Sequence, residues 1–339
     1  MRPFLSSAFA LAAVGISAVS AVPLHGQTHE SLRARSKYPF SKLVAFGDEL
    51  SDNGNGSYAH GISGSPANVY GFGTWTDGPV AVQYLASLLG VPLTDYAFGA
   101  ANGAAQFGAT VNNVYTKADA QWNGKPVPSV HEQILKNYTH PSPPASIKKS
   151  LHFIWTGEND LSKNTDAFWE GDPRNAEFVG NISHRITWNA EYLIEKGAPY
   201  VFVANIYPKH RAPVATTYLC QDGGCIDTWG SIIESANDAL KTKLSQSKYA
   251  SKFIYYDVYS YMVSLMENKD RYGLTESLAS YCDGDSNDPN QKWDTCIAGS
   301  YTWEGAQKFY WMNYIQPSTR VHGLIAQDMH ATINKFFGI

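Results

Sequence analysis

Five short, mostly apolar runs punctuate the chain, each closed by a small or polar residue. Lys42-Leu43-Val44-Ala45-Phe46 leads into Gly47-Asp48, and Thr94-Asp95-Tyr96-Ala97-Phe98 into Gly99. Leu151-His152-Phe153-Ile154-Trp155 leads into Thr156-Gly157, Tyr200-Val201-Phe202-Val203-Ala204 into Asn205, and Phe253-Ile254-Tyr255-Tyr256 into Asp257. Such runs are expected of strands buried on both faces of a parallel sheet. Stretches with helical spacing lie between them. Pro79 to Leu89 has proline at its start and Gly90 just past its end. Asn175 to Lys196 places Phe178, Ile182, Ile186 and Leu193 on one face and stops at Gly197. Gly230 to Leu244 and Thr319 to Phe337 read in the same way. The alternation predicts an α/β fold of three layers with right-handed crossovers and a five-stranded parallel sheet. The prolines at 141, 143 and 144 mark a loop, and neither an internal repeat nor a linker divides the chain. Ligands of such sheets bind outside the carboxyl ends of the strands. The residues just after each run are therefore the first candidates for a site: Gly47-Asp48-Glu49, Gly99-Ala100-Ala101, Thr156 to Asp160, and Asn205.

Composition narrows the classes. Of 339 residues, 44% are hydrophobic and 17% charged, which excludes a disordered chain or a coiled coil. The net charge is −4, with Lys and Arg scattered rather than striped, so no nucleic-acid partner is expected. Residues 1–21 carry Arg2, a mostly apolar run, and Val19-Ser20-Ala21 at the end, the pattern of a secretory signal peptide. A polar lead over 22–40 and one domain over 41–339 follow. No later run is long enough to span a bilayer, so a secreted monomer is expected. Cysteine usage fits an oxidising compartment. Cys220 with Cys225 and Cys282 with Cys296 are the favoured bridges among three connectivities. Neither pair has metal-site spacing, and no metal is expected. Asn55, Asn137 and Asn181 head glycosylation sequons.

The strand ends also resemble a known family. Phe46-Gly47-Asp48-Glu49-Leu50-Ser51-Asp52-Asn53-Gly54-Asn55 is similar to the first block of GDSL-type SGNH hydrolases, and Thr76-Asp77-Gly78-Pro79-Val80 to the segment that follows it. Ala97-Phe98-Gly99-Ala100 resembles the glycine block and Gly157-Glu158-Asn159-Asp160 the asparagine block. Tyr310 to Ser318 resembles the final block, normally Asp-x-x-His-Pro-Thr. The match runs from about Lys42 to Phe337, in family order, and suits a secreted, fungal- or plant-like lipase/acylhydrolase branch. It implies the SGNH-hydrolase (flavodoxin-like) fold and an ester hydrolase working without a cofactor. In that family a serine attacks the ester carbonyl, a histidine oriented by an aspartate activates it, and the oxyanion hole includes a glycine N–H and an asparagine amide. By position, Gly99 and Asn159 keep the hole. The serine position holds Glu49, the aspartate position Asn313 and the histidine position Gln316.

Loss of nucleophile or base in a triad costs as much as loss of all three, about 10⁶ in turnover. A bare hole leaves only about 10³ over water. Ser51 reads as a turn hydroxyl, and His322 and His330, on the last helix, as structural. Two accounts of Glu49 follow. In one, its carboxylate fills the hole, accepts from the Gly99 N–H and the Asn159 amide, with Gln316 and Asn313 as further donors, and is held as the anion with a depressed pKa. In the other, it pairs with Asp160 or Glu158 as glycosidase carboxylates do. The first is favoured. It implies a pseudoenzyme that holds a small-molecule, glycan or acylated ligand in the strand-end cleft. The alternatives are a hydrolase of glycosidic bonds or an ordinary esterase. Tyr58, Tyr70, Trp75, Trp122, Trp169, Trp303 and Trp311 are candidates for framing the site, most of them simply as packing and a few as a platform for sugar rings.

Overall fold

The computed structural model describes residues 37–54, 73–99, 108–116, 121–122, 125–163, 174–220, 223–282 and 307–339. The expectations for residues 1–21, Asn55, Tyr58, Tyr70, Trp169, Cys296 and Trp303 lie outside them.

The main sheet has five parallel strands: β1 (Lys42–Gly47), β2 (Leu93–Asp95), β5 (Ser150–Trp155), β6 (Tyr200–Ala204) and β7 (Phe253–Tyr256). Two-residue strands β3 (Gln121–Trp122) and β4 (Lys125–Pro126) form a separate antiparallel pair. The order β2-β1-β5-β6-β7 means that the chain leaves β1 in one direction to β2 and returns to build the other half beyond it. The reversal lies between β1 and β5. A doubly wound sheet opens its ligand crevice at that point, beyond the carboxyl ends, so the segments after Gly47 and after Trp155 are brought face to face.

Alternation of side chains along the strands feeds two cores. Leu43, Ala45, Phe153, Phe202 and Ile254 join α1 (Ala81–Leu89), α5 (Val258–Glu267) and α6 (Thr319–Phe337) on one face. Val44, Phe46, Ile154, Val201 and Val203 join α3 (Arg174–Glu195) and α4 (Gly224–Gln246) on the other. A short helix, α2 (Glu158–Lys163), follows β5. This is the expected three-layer α/β/α arrangement. No helix among the described residues is long and apolar enough to cross a membrane.

Three boundaries differ from the reading of the sequence. The second run forms a ladder only over Leu93–Asp95, because the Asp95 carboxylate accepts from the Ala97 N–H at 2.9 Å and the Asn53 N–H at 3.1 Å and turns the chain. Asp257, read as a turn, is the N-cap of α5: its Oδ1 accepts from the Ser260 N–H at 3.1 Å. Helix α4 begins six residues before Gly230, directly after Gly223 in the left-handed region, and the Cys220–Cys225 disulfide closes the turn at that end. Cys282 is also disulfide-bonded. Asn137 is exposed and Asn181, on α3, half-buried.

Helix α6 is tied to α1 by His322, whose Nδ1 accepts from the Ala81 N–H at 3.2 Å. Burial pushes its imidazole down to about 3, whereas the unfolded chain takes up that proton near 6.5. The stabilisation is therefore complete above about pH 6.5 and is lost progressively as pH falls towards 3. A His322→Gln variant offers the Ala81 N–H an amide oxygen that does not titrate. On moving from pH 7 to about pH 4.5, the variant should lose about 2–3 kcal/mol less stability than the parent in urea unfolding. An equal loss in both proteins would show that His322 is not held neutral.

Candidate active site

Gly47 closes β1 against its neighbour: a Cβ there would lie 2.7 Å from the Trp155 carbonyl oxygen and 3.0 Å from Ser51 Oγ. The Gln133 side chain holds both polar groups of Gly47, accepting from its N–H at 3.0 Å and donating to its carbonyl at 2.9 Å. The turn that follows is self-contained. The Ser51 and Asp52 N–H groups donate to the Asp48 carbonyl, each at 3.0 Å, and the Leu50 N–H to Asp48 Oδ1 at 3.1 Å. Glu49 is thereby fixed at the carboxyl end of β1, 1% exposed. On the other side of the switch point, Gly157 (φ +117°) makes the turn from β5 into α2 and places Asn159 in the first turn of that helix.

These two elements meet. The Asn159 amide donates to Glu49 Oε2 at 2.8 Å. Gly108 lies against the same oxygen, so close that a Cβ at 108 would fall 2.2 Å from it. Gly99 and Gly108 form a β-bridge, and the Ala109 N–H donates to the Phe98 carbonyl at 2.9 Å. The Gly99 N–H, expected to serve Glu49, donates instead to Asp52 Oδ2 at 2.8 Å. The two groups assigned to the oxyanion hole thus serve different carboxylates of one turn.

The Gln316 side chain does not donate to Glu49 as expected. Asn313 Oδ1 accepts from the Ile315 N–H at 3.0 Å and the Gln316 N–H at 2.8 Å, which shapes its own loop, and the Met312 N–H donates to the Gln316 carbonyl at 2.7 Å. The Gln316 side chain is 1% exposed, and neither its oxygen nor its nitrogen has a hydrogen-bond partner. Trp75 and Trp311 are buried, which leaves neither ring face open as a platform. The Trp75 indole packs on Gly99, where a Cβ would collide with it. His330 bonds with the Tyr38 hydroxyl at 2.9 Å, far along α6. Asn205 is a local brace that donates to Asp257 Oδ1 at 2.8 Å and accepts from the Tyr259 N–H at 2.9 Å.

Beneath Glu49 lies a buried charge cluster. Lys209 pairs with Glu158 Oε2 and donates to Ser162 Oγ at 2.8 Å, while the Ser162 hydroxyl donates to Glu158 Oε1 at 2.8 Å. Both side chains of the ion pair are 3% exposed. Asp160 accepts from the Val111 N–H, at 2.9 Å to one oxygen and 3.2 Å to the other, and burial raises its carboxyl to about 8. Burial also raises Glu49, against the opposing pull of Lys209 and the Asn159 amide. The expected depression of its pKa is therefore reversed: one amide donor does not offset full desolvation. Asp48 is raised further, by burial and then by the neighbouring Glu49. Among the described residues no group of three His, Cys, Asp or Glu side chains is placed to hold a metal ion.

Lys209, Asp52 and Gly108 escaped the sequence reading. Lys209 lies four residues beyond Asn205, past the window where strand-end residues were sought, and Gly108 sits outside any motif. Asp52 had a signal, three residues after Glu49 in the same block.

Comparison with known proteins identifies the family. The model of a family described as GDSL-like lipase/acylhydrolase matches residues 43–305, a stretch that takes in Glu49, Gly99 and Asn159. Three GDSL esterase/lipases of Arabidopsis thaliana are similar along most of the chain. One is 24% identical over 327 residues, covering 85% of this chain and 88% of its own. A second is 24% identical over 359 residues, covering 96% and 97%, and a third 24% identical over 320 residues, covering 83% and 81%. The chain belongs to the GDSL-like lipase/acylhydrolase family.

Proposed function

We propose that this protein is a secreted member of its family that has given up serine-esterase catalysis and keeps the scaffold for binding a plain or acylated glycan. One observation supports the reading: the Glu49 carboxyl, at the position that the family resemblance gives to the nucleophile, is bonded to the Asn159 amide and covered by Gly108. Acyl transfer through a carboxylate would need an anhydride intermediate. Gln316 takes up no proton near neutral pH, and Asn313 has no charge with which to stabilise an imidazolium. Secretion is supported by the leader pattern of residues 1–21 and by the disulfide at Cys220–Cys225.

The competing reading, glycosidic hydrolysis by Glu49 with Glu158 or Asp160, meets an obstacle in how those two side chains are used. Glu158 is committed to Lys209 and Ser162, and Asp160 to the Val111 backbone. If Glu158 serves structure, Lys209→Met leaves a buried carboxylate without its cation and should lower stability by about 3–5 kcal/mol in denaturant unfolding. A loss below about 1 kcal/mol would mean that the pair is dispensable and return Glu158 to the list of catalytic candidates.

The esterase test is direct. The parent should show no saturable hydrolysis of p-nitrophenyl acetate. Combining Glu49→Ser, Asn313→Asp and Gln316→His should create it, while each single change does little, because nucleophile and base act as a unit. Adding Asn159→Ala to the triple variant should remove about 10²–10³ of the gain. Robust, saturable activity in the parent that is abolished by Ser51→Ala would overturn the proposal. A folded triple variant no better than the parent would show that the pocket differs from an esterase beyond these three positions.

A further inference from the structure

The turn that carries Lys209 inward also carries His210 and Arg211 towards a second cavity of about 400 Å³, separate from the residues around Glu49. Its polar lining comes from His210, Arg211, Thr216 and Asp227. Met266, at the end of α5, and Leu278 supply apolar wall. The volume lies within the ~300–1,000 Å³ typical of small-ligand pockets, which combine an apolar wall with a few converging polar groups.

What the protein leaves unused is the telling feature. His210 is only 5% exposed, and its Nδ1 is buried without a hydrogen-bond partner. The ring is held in place from two sides. A Cβ on Gly230 would come within 3.1 Å of it, and Tyr259 stacks on it with centroids 5.9 Å apart. Arg211 and Asp227, at the exposed rim, form no ion pair with any described residue. Buried polar groups are nearly always satisfied, and the exceptions need a reason. Here the histidine with that unsatisfied nitrogen and two charges outside any ion pair among the described residues line one cavity.

We infer that this cavity is a binding site for a neutral saccharide unit, with His210, Arg211 and Asp227 meeting its hydroxyl groups and the Met266–Leu278 wall meeting its C–H face. The charge balance selects the class. Arg211 and Asp227 cancel, and burial pushes His210 down to about 4, so that its ring is neutral at ordinary pH. A ligand of no net charge matches such a lining, and an anionic one gains little from it. The Thr216 hydroxyl donates to the Ala212 carbonyl at 3.3 Å and so presents its lone pairs as acceptors. On the same one-turn π-helix, Val214–Leu219, Tyr218 is 41% exposed and its hydroxyl bonds with that of Tyr281 at 2.6 Å. The inference takes from the proposed function only the saccharide class and moves it to a cavity that does not depend on Glu49.

The test is isothermal titration of the full secreted protein with cellobiose, xylobiose and chitobiose as neutral probes and digalacturonate as the charged one. At least one neutral disaccharide should bind saturably and more tightly than digalacturonate. His210→Phe, which keeps the ring between Gly230 and Tyr259 but removes its nitrogens, should weaken that binding about 10-fold or more, as should Asp227→Ala at the exposed rim. Glu49→Gln should leave it unchanged. No saturable binding of any neutral probe, a preference for digalacturonate, or indifference to both cavity variants would overturn the inference. Loss of binding in Glu49→Gln alone would place the sugar at the strand ends, overturning this site while leaving the proposed function standing. Ester hydrolysis by the parent would do the reverse.

Discussion

A carboxyl group sealed at the end of a parallel strand must find a donor or remain protonated, and both responses shape this molecule around Glu49. Moving such a group out of water without compensation costs several kcal/mol. The reversal of strand order between β1 and β5 puts the Asn159 amide within 2.8 Å, and that single bond ties the segments after these two neighbouring strands together at their carboxyl ends. Other features follow from it. Position 108 has no room for a side chain beside the Glu49 oxygen. With Glu49 on Asn159, the Gly99 N–H is satisfied by Asp52 from the same turn. The carboxyl itself stays above its ordinary pKa, since burial outweighs what Lys209 and the amide return.

Most of the scaffold was legible because it rests on local rules. Apolar runs longer than the spacing of any helix face, ended by Gly47, Gly157 or Asn205, admit few readings other than buried strands. Where the reading slipped, one carboxylate decided the boundary: Asp95 ends its strand early by bonding two N–H groups, and Asp257 starts a helix instead of closing a loop. An aspartate after an apolar run is compatible with turn or cap, and only the next few residues in space resolve it. The candidate site was legible at the level of which segments converge, since that follows from strand order. It was not legible at the level of which donor meets which acceptor. Gly99 offers one N–H, and both Glu49 and Asp52 stand in the same turn to receive it. Pairings of that kind depend on differences of an ångström that no motif records.

The segment after β6 shows how closely interior and surface are linked at this end of the sheet. In three successive residues the chain buries a lysine, wedges an imidazole over Gly230 and leaves a guanidinium in solvent. Lys209 has to point inward because Glu158 is there without another cation at bonding distance among the described residues, and a short 3₁₀ turn then obliges the next two side chains to face elsewhere. The buried ion pair thus positions the lining of the neighbouring cavity, although it contributes nothing to that cavity's own surface.

The loop that bears Gln316 keeps its course without a hydrogen bond from that side chain. Its course is set by bonds to its backbone: Asn313 Oδ1 takes two N–H groups, the Met312 N–H bonds back to the Gln316 carbonyl, and the Thr76 and Asp77 side chains hold the backbone at Pro317 and Thr319. None of these bonds uses the side chain at 316. The same holds for Glu49, whose turn is shaped by Gly47 and Asp48. A buried amide with no partner, as at Gln316, costs about 1–3 kcal/mol, which a stable three-layer domain tolerates at one position. The side chains at 49 and 316 therefore take no part in the local bonds that shape their own turns, whereas Asn313 shapes its loop through its own Oδ1. The local course of both turns thus holds whichever side chain stands at 49 or 316, so the fold and the motif spacing do not depend on the chemistry those two side chains supply.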